Sequence, residues 1–471
     1  MSDPALPLIR LDYADCMRER LGGRAGLSAG ALAPYLKRGR KLLGQLLAEL
    51  RAGKLAFAEL PSREDLARES QRLAHRHLKR FDTLLVLGMG GSALGARALL
   101  EALTPFPAAP GGARRTSGRV IVLDTLEPCT VLGVLRALDP QRTLVNVISK
   151  SGDTLETTAL FELVRERFTR ALGVAQLPRH FIFTVGQERG TLGAWAAAAG
   201  CEVVLMPAGV GGRFSVLTQV GLLPAAFSGV DVRAVVAGAS AMADLCHLAA
   251  PRANPAFLSA ALLVLQRARG RDCQVVFHYG RTLRGLGAWY AQLWAESLGK
   301  RFDLRGRRVE WGQTPLVAEG PADQHSLLQL FLEGPDNKMT SFLEVEKQAD
   351  DGRLPQAPSG VDGLFGLLSG KRLADLMRAQ KRGTAVGMVR AGRPSMTWIL
   401  PELTPHVMGQ ALYLFEYQTV IAARLLGINP FDQPAVEFGK QVAVALLGGP
   451  VAAEEQRWIR RAAESDPRYI V

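Results

Sequence analysis

The sequence has few cysteines, no long apolar run and no concentrated basic tail. Its five cysteines among 471 residues are odd in number, widely spaced and without a CxxC pair, which argues against a disulfide framework and a zinc knuckle. The beginning, MSDPALPLIRLDYADCMRER, lacks the basic start and apolar core of a signal peptide. No apolar stretch reaches the roughly 18 residues that a membrane span needs. These absences predict a soluble, cytoplasmic protein with no membrane partner.

The charge is basic but dispersed. Lys and Arg total 57 against 44 Asp and Glu, which gives a formal net charge of +13. Such an excess can bind the phosphates of a nucleic acid by releasing counterions. Here, however, arginine is spread through every region, and the longest basic concentrations are short runs such as residues 37–41. The pattern favours a solvated, arginine-rich surface, and we expect no nucleic-acid partner.

The order of apolar segments predicts an α/β protein. A chain of 471 residues, 48% of them hydrophobic, is long enough for about two to three domains. Residues 1–80 have leucine-rich stretches at helical spacing, after which short apolar strands alternate with helical segments. Strands are predicted at 83–87, 120–124, 144–149, 180–185, 273–279, 309–320, 339–346, 384–389 and 395–400. A final apolar helix is predicted over about 408–426, and a surface loop over 349–360.

A glycine-rich turn, Gly88–Ser92, joins the first of these strands to a helix. Such a turn lets backbone N–H groups approach an anion, and the N-terminus of the helix adds a favourable dipole. The turn lacks the Lys–Ser/Thr ending of a nucleotide P-loop. Taken alone it is a weak signal, because a merely tight turn has the same composition.

A second polar turn follows the third predicted strand. Its donor side chains are Ser149, Lys150, Ser151 and Thr154. Hydroxyls and an ammonium just before a helix are the donors that a phosphomonoester needs, since it has three acceptor oxygens. The alternative is a helix N-cap with its neighbouring turn, which Thr154 followed by Thr157 would also satisfy. Two such turns at successive strand ends favour phosphate binding.

Six motifs follow one another between about residues 80 and 440: GMGGSALG (88–95), SKSGDTLET (149–157), GVGGRFSVLTQVGLLPAA (209–226), QLWAESLGK (292–300), GPADQHS (320–326) and NPFDQPAVEFGK (429–440). Together and in this order they resemble the bacterial type of the glucose-6-phosphate isomerase family, which is built from sugar isomerase (SIS) domains. The resemblance implies two SIS-type α/β/α sandwich domains with mostly parallel sheets, plus N-terminal and C-terminal helices. The implied boundaries are 1–80 for the N-terminal helical segment, 81–250 and 251–430 for the two SIS domains, and 431–471 for a helical tail.

The resemblance also implies an activity, the reversible interconversion of glucose 6-phosphate and fructose 6-phosphate by ring opening and proton transfer through a cis-enediol(ate). It implies Glu296 as the base that moves the proton between adjacent carbons, and Arg213 as the cation that stabilises the enediolate. From residue type alone, these two would be a helix-surface carboxylate and a structural salt bridge. His325 from a partner subunit and Lys440 are implied to assist ring opening, so a homodimer with a shared active site is expected.

The phosphate-binding residues that the resemblance implies are Gly91, Ser92, Ser149, Lys150, Ser151, Thr154, Gln292 and Gln433. We expect no cofactor and no metal ligand, because the pair His75 and His77 has no further ligands nearby and is interpreted as two solvated helix residues. The departures from the family pattern are Asp153, Ala208, Gln219 and Ala435. They bear on phosphate affinity and sugar range, since a carboxylate at Asp153 should weaken the binding of a dianion unless it points away.

Two other functions stay open at this point. One is a dual-specificity isomerase that also accepts mannose 6-phosphate. The other is a non-catalytic SIS-type sensor that binds a sugar phosphate and regulates a partner. A sensor would be expected to have lost an acid/base residue, and all of the implied acid/base residues are present in this sequence.

Overall fold

A computed structural model describes residues 7–23, 25–104, 117–186, 190–360 and 363–462, together with Arg468 and Ile470. Contacts divide the chain into two compact units, Met1–Asn429 and Pro430–Val471. Apart from Pro430, both predicted SIS domains fall within the first unit, and their boundaries stay a prediction. All five cysteines are free thiols. Among the described helices, none is long and apolar enough to cross a membrane.

The strands of the described residues form two five-stranded sheets and one two-stranded sheet. The strands are β1 (Arg10–Asp12), β2 (Thr83–Leu87), β3 (Arg119–Leu123), β4 (Thr143–Ser149), β5 (Phe181–Val185), β6 (Glu202–Leu205), β7 (Cys273–Tyr279), β8 (Lys300–Phe302), β9 (Arg308–Trp311), β10 (Thr314–Gly320), β11 (Lys338–Lys347) and β12 (Ser395–Glu402).

The helices are α1 (Arg18–Leu21), α2 (Ala29–Arg51), α3 (Ala56–Glu59), α4 (Glu64–Leu78), α5 (Gly91–Leu103), α6 (Pro128–Ala137), α7 (Leu155–Leu172), α8 (Gly190–Ala198), α9 (Gln219–Phe227), α10 (Val232–Cys246), α11 (Pro255–Ala268), α12 (Arg284–Leu298), α13 (Leu328–Glu333), α14 (Leu364–Leu368), α15 (Leu373–Arg390), α16 (Pro405–Leu426), α17 (Ala435–Leu446) and α18 (Ala453–Ala462). Helices α17 and α18 belong to the second unit.

The first sheet has five parallel strands in the order β3-β2-β4-β5-β6. Alternate residues of β2 pack on opposite faces: Leu84 and Val86 belong to one hydrophobic cluster, and Leu85 and Leu87 belong to another. A sheet buried on both faces needs near-continuous apolar strands, which is why this segment carries no polar alternation. Because β2 lies between β3 and β4, a crevice opens at the carboxyl ends of β2 and β4.

The second sheet has the order β1-β12-β11-β7-β10, with β1 antiparallel at one edge and the other four strands parallel. Val276 of β7 packs in the same large cluster as Leu84 of the first sheet. Its neighbours Val275 and Phe277 point to the opposite face, into a cluster that includes Met388 of α15. The two sheets therefore share one core, and each has a further core on its other face, which confirms the predicted α/β architecture.

Helix α16 runs through the shared core and is buried along nearly its whole length. It begins at a local start signal: the Thr404 hydroxyl accepts a hydrogen bond from Val407 N at 3.2 Å, and Pro405 occupies the first turn. The predicted apolar helix at about 408–426 is thus confirmed, with its beginning three residues earlier. Its burial on all sides explains why the sequence there is apolar around the whole helix.

Most of the other predicted elements are confirmed, and β2 and β7 have the predicted bounds. The strand predicted at 384–389 is wrong, because these residues belong to α15. Thr384, Ala385 and Met388 are buried at helical spacing, and the residues before them continue the same helix. Strand β1, inside the segment expected to be helical, and strand β6 were not predicted. Both are short edge strands with only one neighbour.

Candidate active site

Two turns follow β2 and β4, at the crevice where the strand order of the first sheet reverses. Val86 and Leu87 of β2 pair with Asn146 and Val147 of β4, so the glycine turn and the serine turn leave from neighbouring strand ends. In open α/β sheets, ligands bind at this position because the loops at a strand-order reversal separate. Both turns follow strands, as predicted, and the pairing of β2 with β4 places them side by side.

The glycine turn is in backbone contact with the segment that carries Arg213. A Cβ atom on Gly91 would lie 2.3 Å from the carbonyl oxygen of Gly212 and 2.6 Å from Arg213 N. At Gly90, where φ is +53°, a Cβ would lie 2.8 Å from Nε2 of Gln292. Only residues without a side chain allow these approaches. The start of α5, the Gly212 turn and helix α12 therefore meet at one place.

The serine turn is held by its own hydroxyl groups. Ser149 is buried, and its Oγ lies 2.9 Å from Oγ1 of Thr154 and accepts a hydrogen bond from Gly152 N at 3.1 Å. Thr154 stands at the N-cap of α7, but its side chain makes no capping hydrogen bond. The N-cap alternative therefore does not describe how Thr154 is used. Lys150 and Ser151 are exposed, so their donors are available to an anion.

The Asp153 carboxylate is bound to the start of another helix. Its Oδ1 accepts a hydrogen bond from Thr191 N at 2.8 Å, at the beginning of α8. Hydrogen bonds from Thr191 hold the pKa of Asp153 below its usual range. A carboxylate near a helix N-terminus is stabilised by the helix dipole. The Asp153 carboxylate is thus bound to the start of α8. A carboxylate held in this way is compatible with an anionic ligand in the same turn.

Arg213 and Glu296 form an ion pair, with Nη1 of Arg213 2.8 Å from Oε2 of Glu296. The Arg213 side chain is only 4% exposed, whereas that of Glu296 is 34% exposed. Nε2 of Gln292 donates to the other carboxylate oxygen, Oε1 of Glu296, at 2.9 Å. Gln292 and Glu296 are one turn apart on α12, so the helix presents both side chains on one face. The structure thus brings the expected base and the expected cation together, with one edge open to solvent.

Gln292 has a different observed contact from the one that the resemblance implies. It was expected to contact the phosphate, and the structure shows it against Glu296 and the glycine turn. Its Oε1 atom is buried and has no hydrogen-bond partner among the described residues. Its phosphate contact stays a prediction. Ser92, also expected at the phosphate, lies in the first turn of α5 and is partly exposed.

His325 lies in a separate turn at the edge of the second sheet, after β10. The other polar side chains of its motif fasten the turn: Asp323 Oδ2 accepts from Glu319 N at 2.7 Å, and Gln324 Nε2 donates to Tyr279 Oη at 2.6 Å. Within the described part of the chain, the exposed His325 side chain makes no hydrogen bond and no ion pair with Arg213 or Glu296. The structure of this one chain therefore does not bring His325 together with the Arg213–Glu296 pair.

Gln433 and Lys440 belong to the second unit, Pro430–Val471. Lys440 lies on α17, where its Nζ is 2.8 Å from Oε1 of Glu437. The roles of both residues stay predictions.

The histidine pair on α4 was interpreted as solvated, which is wrong for His77. Its side chain is 15% exposed, and Nε2 lies 3.0 Å from Oε2 of Glu202, which links α4 to β6. His75 is exposed, as expected. No group of three or more potential metal ligands occurs within the residues that the structure describes.

Two residues beside the ion pair were not singled out from the sequence. Ser297 is fully buried, and its Oγ accepts a hydrogen bond from Nε of Arg213 at 2.8 Å. Lys300 is also buried and donates from Nζ to the backbone oxygen of Glu296 at 2.6 Å. Both belong to the motif QLWAESLGK, in which Ser297 lies near the buried end of α12 and Lys300 begins β8. Polar residues in a buried helix end were the available signal, because such groups need partners.

The two mostly parallel sheets, with turns of anion-binding composition at strand ends, define an α/β protein of the sugar isomerase type. The same fold occurs in the crystal structure of a glucose-6-phosphate isomerase from Chlamydia trachomatis, with a TM-score of 0.74 at 24% identity over 84% of this chain and 76% of that chain. It also occurs in the crystal structure of a hypothetical protein from Thermus thermophilus, with a TM-score of 0.81 at 34% identity over 94% of this chain and 100% of that chain.

A profile of the phosphoglucose isomerase family matches residues 72–457. A glucose-6-phosphate isomerase of Carboxydothermus hydrogenoformans is 38% identical over 89% of this chain and 90% of that protein. Another, from Rubrobacter xylanophilus, is 36% identical over 94% of this chain and 98% of that protein. This chain belongs to the phosphoglucose isomerase family.

Proposed function

We propose that this protein catalyses the reversible isomerisation of glucose 6-phosphate and fructose 6-phosphate, a step of glycolysis and gluconeogenesis. Its family and the names of its relatives support this activity. The observation that carries the proposal is the ion pair between Arg213 and Glu296, 2.8 Å long, where Gly91 touches the Gly212 turn. A carboxylate and a fixed cation next to an anion-binding turn are the groups that this isomerisation requires.

The phosphate group is received by the two turns at the carboxyl ends of β2 and β4. Lys150 and Ser151 are exposed there, and the hydrogen bond between Ser149 and Thr154 fixes the turn from within. An ammonium, hydroxyls and backbone amides together satisfy the several acceptors of a phosphate dianion. Held by its phosphate, the sugar chain extends from this crevice towards Glu296.

The reaction moves one proton between adjacent carbons. Glu296 removes the proton from C2 of the open-chain aldose, and the C–H electron pair forms the double bond of an enediolate across C1 and C2. The carboxylic acid then returns the proton to C1, while a proton moves from the C2 oxygen to the C1 oxygen. Arg213, which cannot lose its charge at physiological pH, stabilises the negative oxygen of the enediolate.

Ring opening precedes this transfer and needs a proton donor and a proton acceptor. His325 has the residue type for this task, because an imidazole has one nitrogen that can donate a proton and one that can accept it. Its exposed position, on a turn that its neighbours fasten, suits a residue offered to a second copy of the chain. We therefore propose a homodimer in which His325 of one subunit serves the site of the other, and we retain Lys440 as the second ring-opening residue, as the resemblance implies. The expected location is the cytoplasm.

Replacing Glu296 by Gln tests the proposed base. The change keeps the size of the side chain and removes the proton acceptor, so kcat should fall by about 100-fold or more while KM changes little. The assay couples glucose 6-phosphate formation to its dehydrogenase. Glu166→Gln is the matched control, since it removes an exposed carboxylate of α7 that pairs with Arg170.

Two outcomes would overturn the proposal. A folded wild-type protein without isomerase activity would exclude the function, and full activity in Glu296→Gln would exclude Glu296 as the base. In D2O, the proton route also predicts deuterium on C1 or C2 of the products, whereas an internal hydride shift would carry the substrate hydrogen from one carbon to the other without incorporating deuterium. The same assay with mannose 6-phosphate tests the dual-specificity alternative.

A further inference from the structure

Ser297 is the residue after Glu296 on α12, and its side chain is fully buried. Its Oγ accepts a hydrogen bond from Nε of Arg213 at 2.8 Å, while Nη1 of the same guanidinium is 2.8 Å from Oε2 of Glu296. Two consecutive residues of one helix therefore accept hydrogen bonds from two different nitrogens of Arg213. A planar guanidinium held at two of its nitrogens has a fixed plane as well as a fixed position.

The hydroxyl of Ser297 is used differently from that of an ordinary buried helical serine. Ser70, which is also fully buried, donates to the backbone oxygen of Leu66 in its own helix at 2.8 Å. In the described part of the chain, Ser297 makes no such bond to α12, and its hydroxyl meets Arg213 instead. Serine is a weak helix former because its hydroxyl competes for backbone groups. At this position, the hydroxyl holds the cation of the ion pair.

We propose that Ser297 is a positioning residue that sets the plane of the Arg213 guanidinium against the enediolate. The proposal rests on the isomerase function proposed above. Without the acceptor at Nε, the guanidinium loses one of the hydrogen bonds that orient its plane, while Nη1 keeps its bond to Glu296. The charge then stays in the site, but its donors no longer point to where negative charge develops. A loss of this kind affects the transition state more than the bound substrate.

Two variants separate the hydrogen bond from packing. Ser297→Ala removes the oxygen, and Ser297→Cys keeps an atom at the γ position, slightly larger than oxygen, that is only a weak acceptor. Both should lower kcat by about tenfold with KM for fructose 6-phosphate within about twofold, since a hydrogen bond to a charged group is stronger than a neutral one. Ser70→Ala is the matched control, because it removes a buried helical hydroxyl that does not touch Arg213. It should leave both kinetic constants unchanged.

A binding measurement tests positioning without turnover. The probes are 5-phosphoarabinonate, whose carboxylate imitates the enediolate, and arabinitol 5-phosphate, which has no carboxylate. Both Ser297 variants should bind the acid about tenfold more weakly and the alcohol as the wild type does. Equal losses for both probes would show a merely structural role and overturn the proposal. Wild-type kinetics in both variants would overturn it as well. An inactive wild-type protein would instead contradict the proposed function, so the two failures are distinguishable.

Discussion

The contact between the glycine turn and the Gly212 turn predicts a large effect from a single methyl group. In Gly91→Ala, the new Cβ would lie 2.3 Å from both the carbonyl carbon and the carbonyl oxygen of Gly212, and 2.6 Å from Arg213 N. Carbon atoms in proteins are optimally spaced at about 3.5–4.0 Å. All of the clashing atoms belong to the backbone, so no side chain can rotate away. The start of α5 and the Gly212 turn must separate by about 1 Å.

This separation has two separate consequences. Overpacking of this kind costs about 1–3 kcal/mol in the free energy of unfolding, because neighbouring backbone must shift. The shift also moves Arg213, which follows Gly212 directly, relative to Glu296. A misplacement of about 1 Å in an active site can lower the rate by about 100-fold. Activity should therefore fall much further than stability, with kcat for fructose 6-phosphate reduced by roughly two orders of magnitude.

The coupled isomerase assay and thermal unfolding measure these two effects on the same protein samples. Gly44→Ala is the control, since a Cβ at this position in α2 has no atom within 4 Å. Replacing an interior helical glycine by alanine should stabilise the protein by about 0.5–1 kcal/mol and leave kcat unchanged. If Gly91→Ala has the kcat and the melting temperature of the wild type, the two turns do not make this contact.

Two further predictions concern the partner histidine and the acidic residue of the serine turn. Refolding an equal mixture of Glu296→Gln and His325→Ala chains should restore about a quarter of the wild-type rate per chain. The reason is that half of the dimers are mixed, and each mixed dimer has one intact site out of two. No recovery of activity would exclude a shared site. Asp153→Asn should lower KM for the sugar phosphate by up to about fivefold at low salt, since it removes a negative charge near a dianion. Because the pKa of Asp153 is lowered, its carboxylate is charged at and above neutral pH. The difference in KM between Asp153→Asn and the wild type should therefore disappear at a pH below that pKa. It should also become smaller as the salt concentration rises. An unchanged KM at low salt would show that substrate does not sense this charge.

The positions of the glycine turn and the serine turn were predictable because their signals are local. Gly88–Ser92 and the Ser149–Thr154 turn each lie between an apolar strand and a helix, and strand order alone then places them together. The strand predicted at 384–389 failed for the opposite reason. Its β-branched residues favour a strand locally, but the packing of Met388 with Phe277 of the second sheet belongs to a helix that began at residue 373.

Other features depend on contacts between distant segments, and the sequence does not show which segment supplies the partner. The orientation of Asp153 depends on the start of α8, 38 residues later in the chain. The partner of Ser297 is 84 residues earlier in the chain. Periodicity and motif spacing report on neighbours along one element, and neither predicts which side chain of another element supplies a hydrogen bond. The proposed role of His325 involves a second copy of the chain, and periodicity within one chain does not report on contacts between copies.

Arg213 follows the first sheet along the chain, and Glu296 is on the helix that follows β7 of the second sheet. This order has a consequence for biosynthesis. A nascent chain that ends before residue 273 contains both polar turns and Arg213, with the whole first sheet, but it lacks Glu296, the proposed base. Its Arg213 side chain, 4% exposed in the folded protein, has neither Ser297 nor Glu296 as a partner until α12 emerges and docks. The proposed isomerisation therefore requires that α12 has been synthesised and has packed against the Gly212 turn. An incomplete chain that lacks α12 should have no isomerase activity.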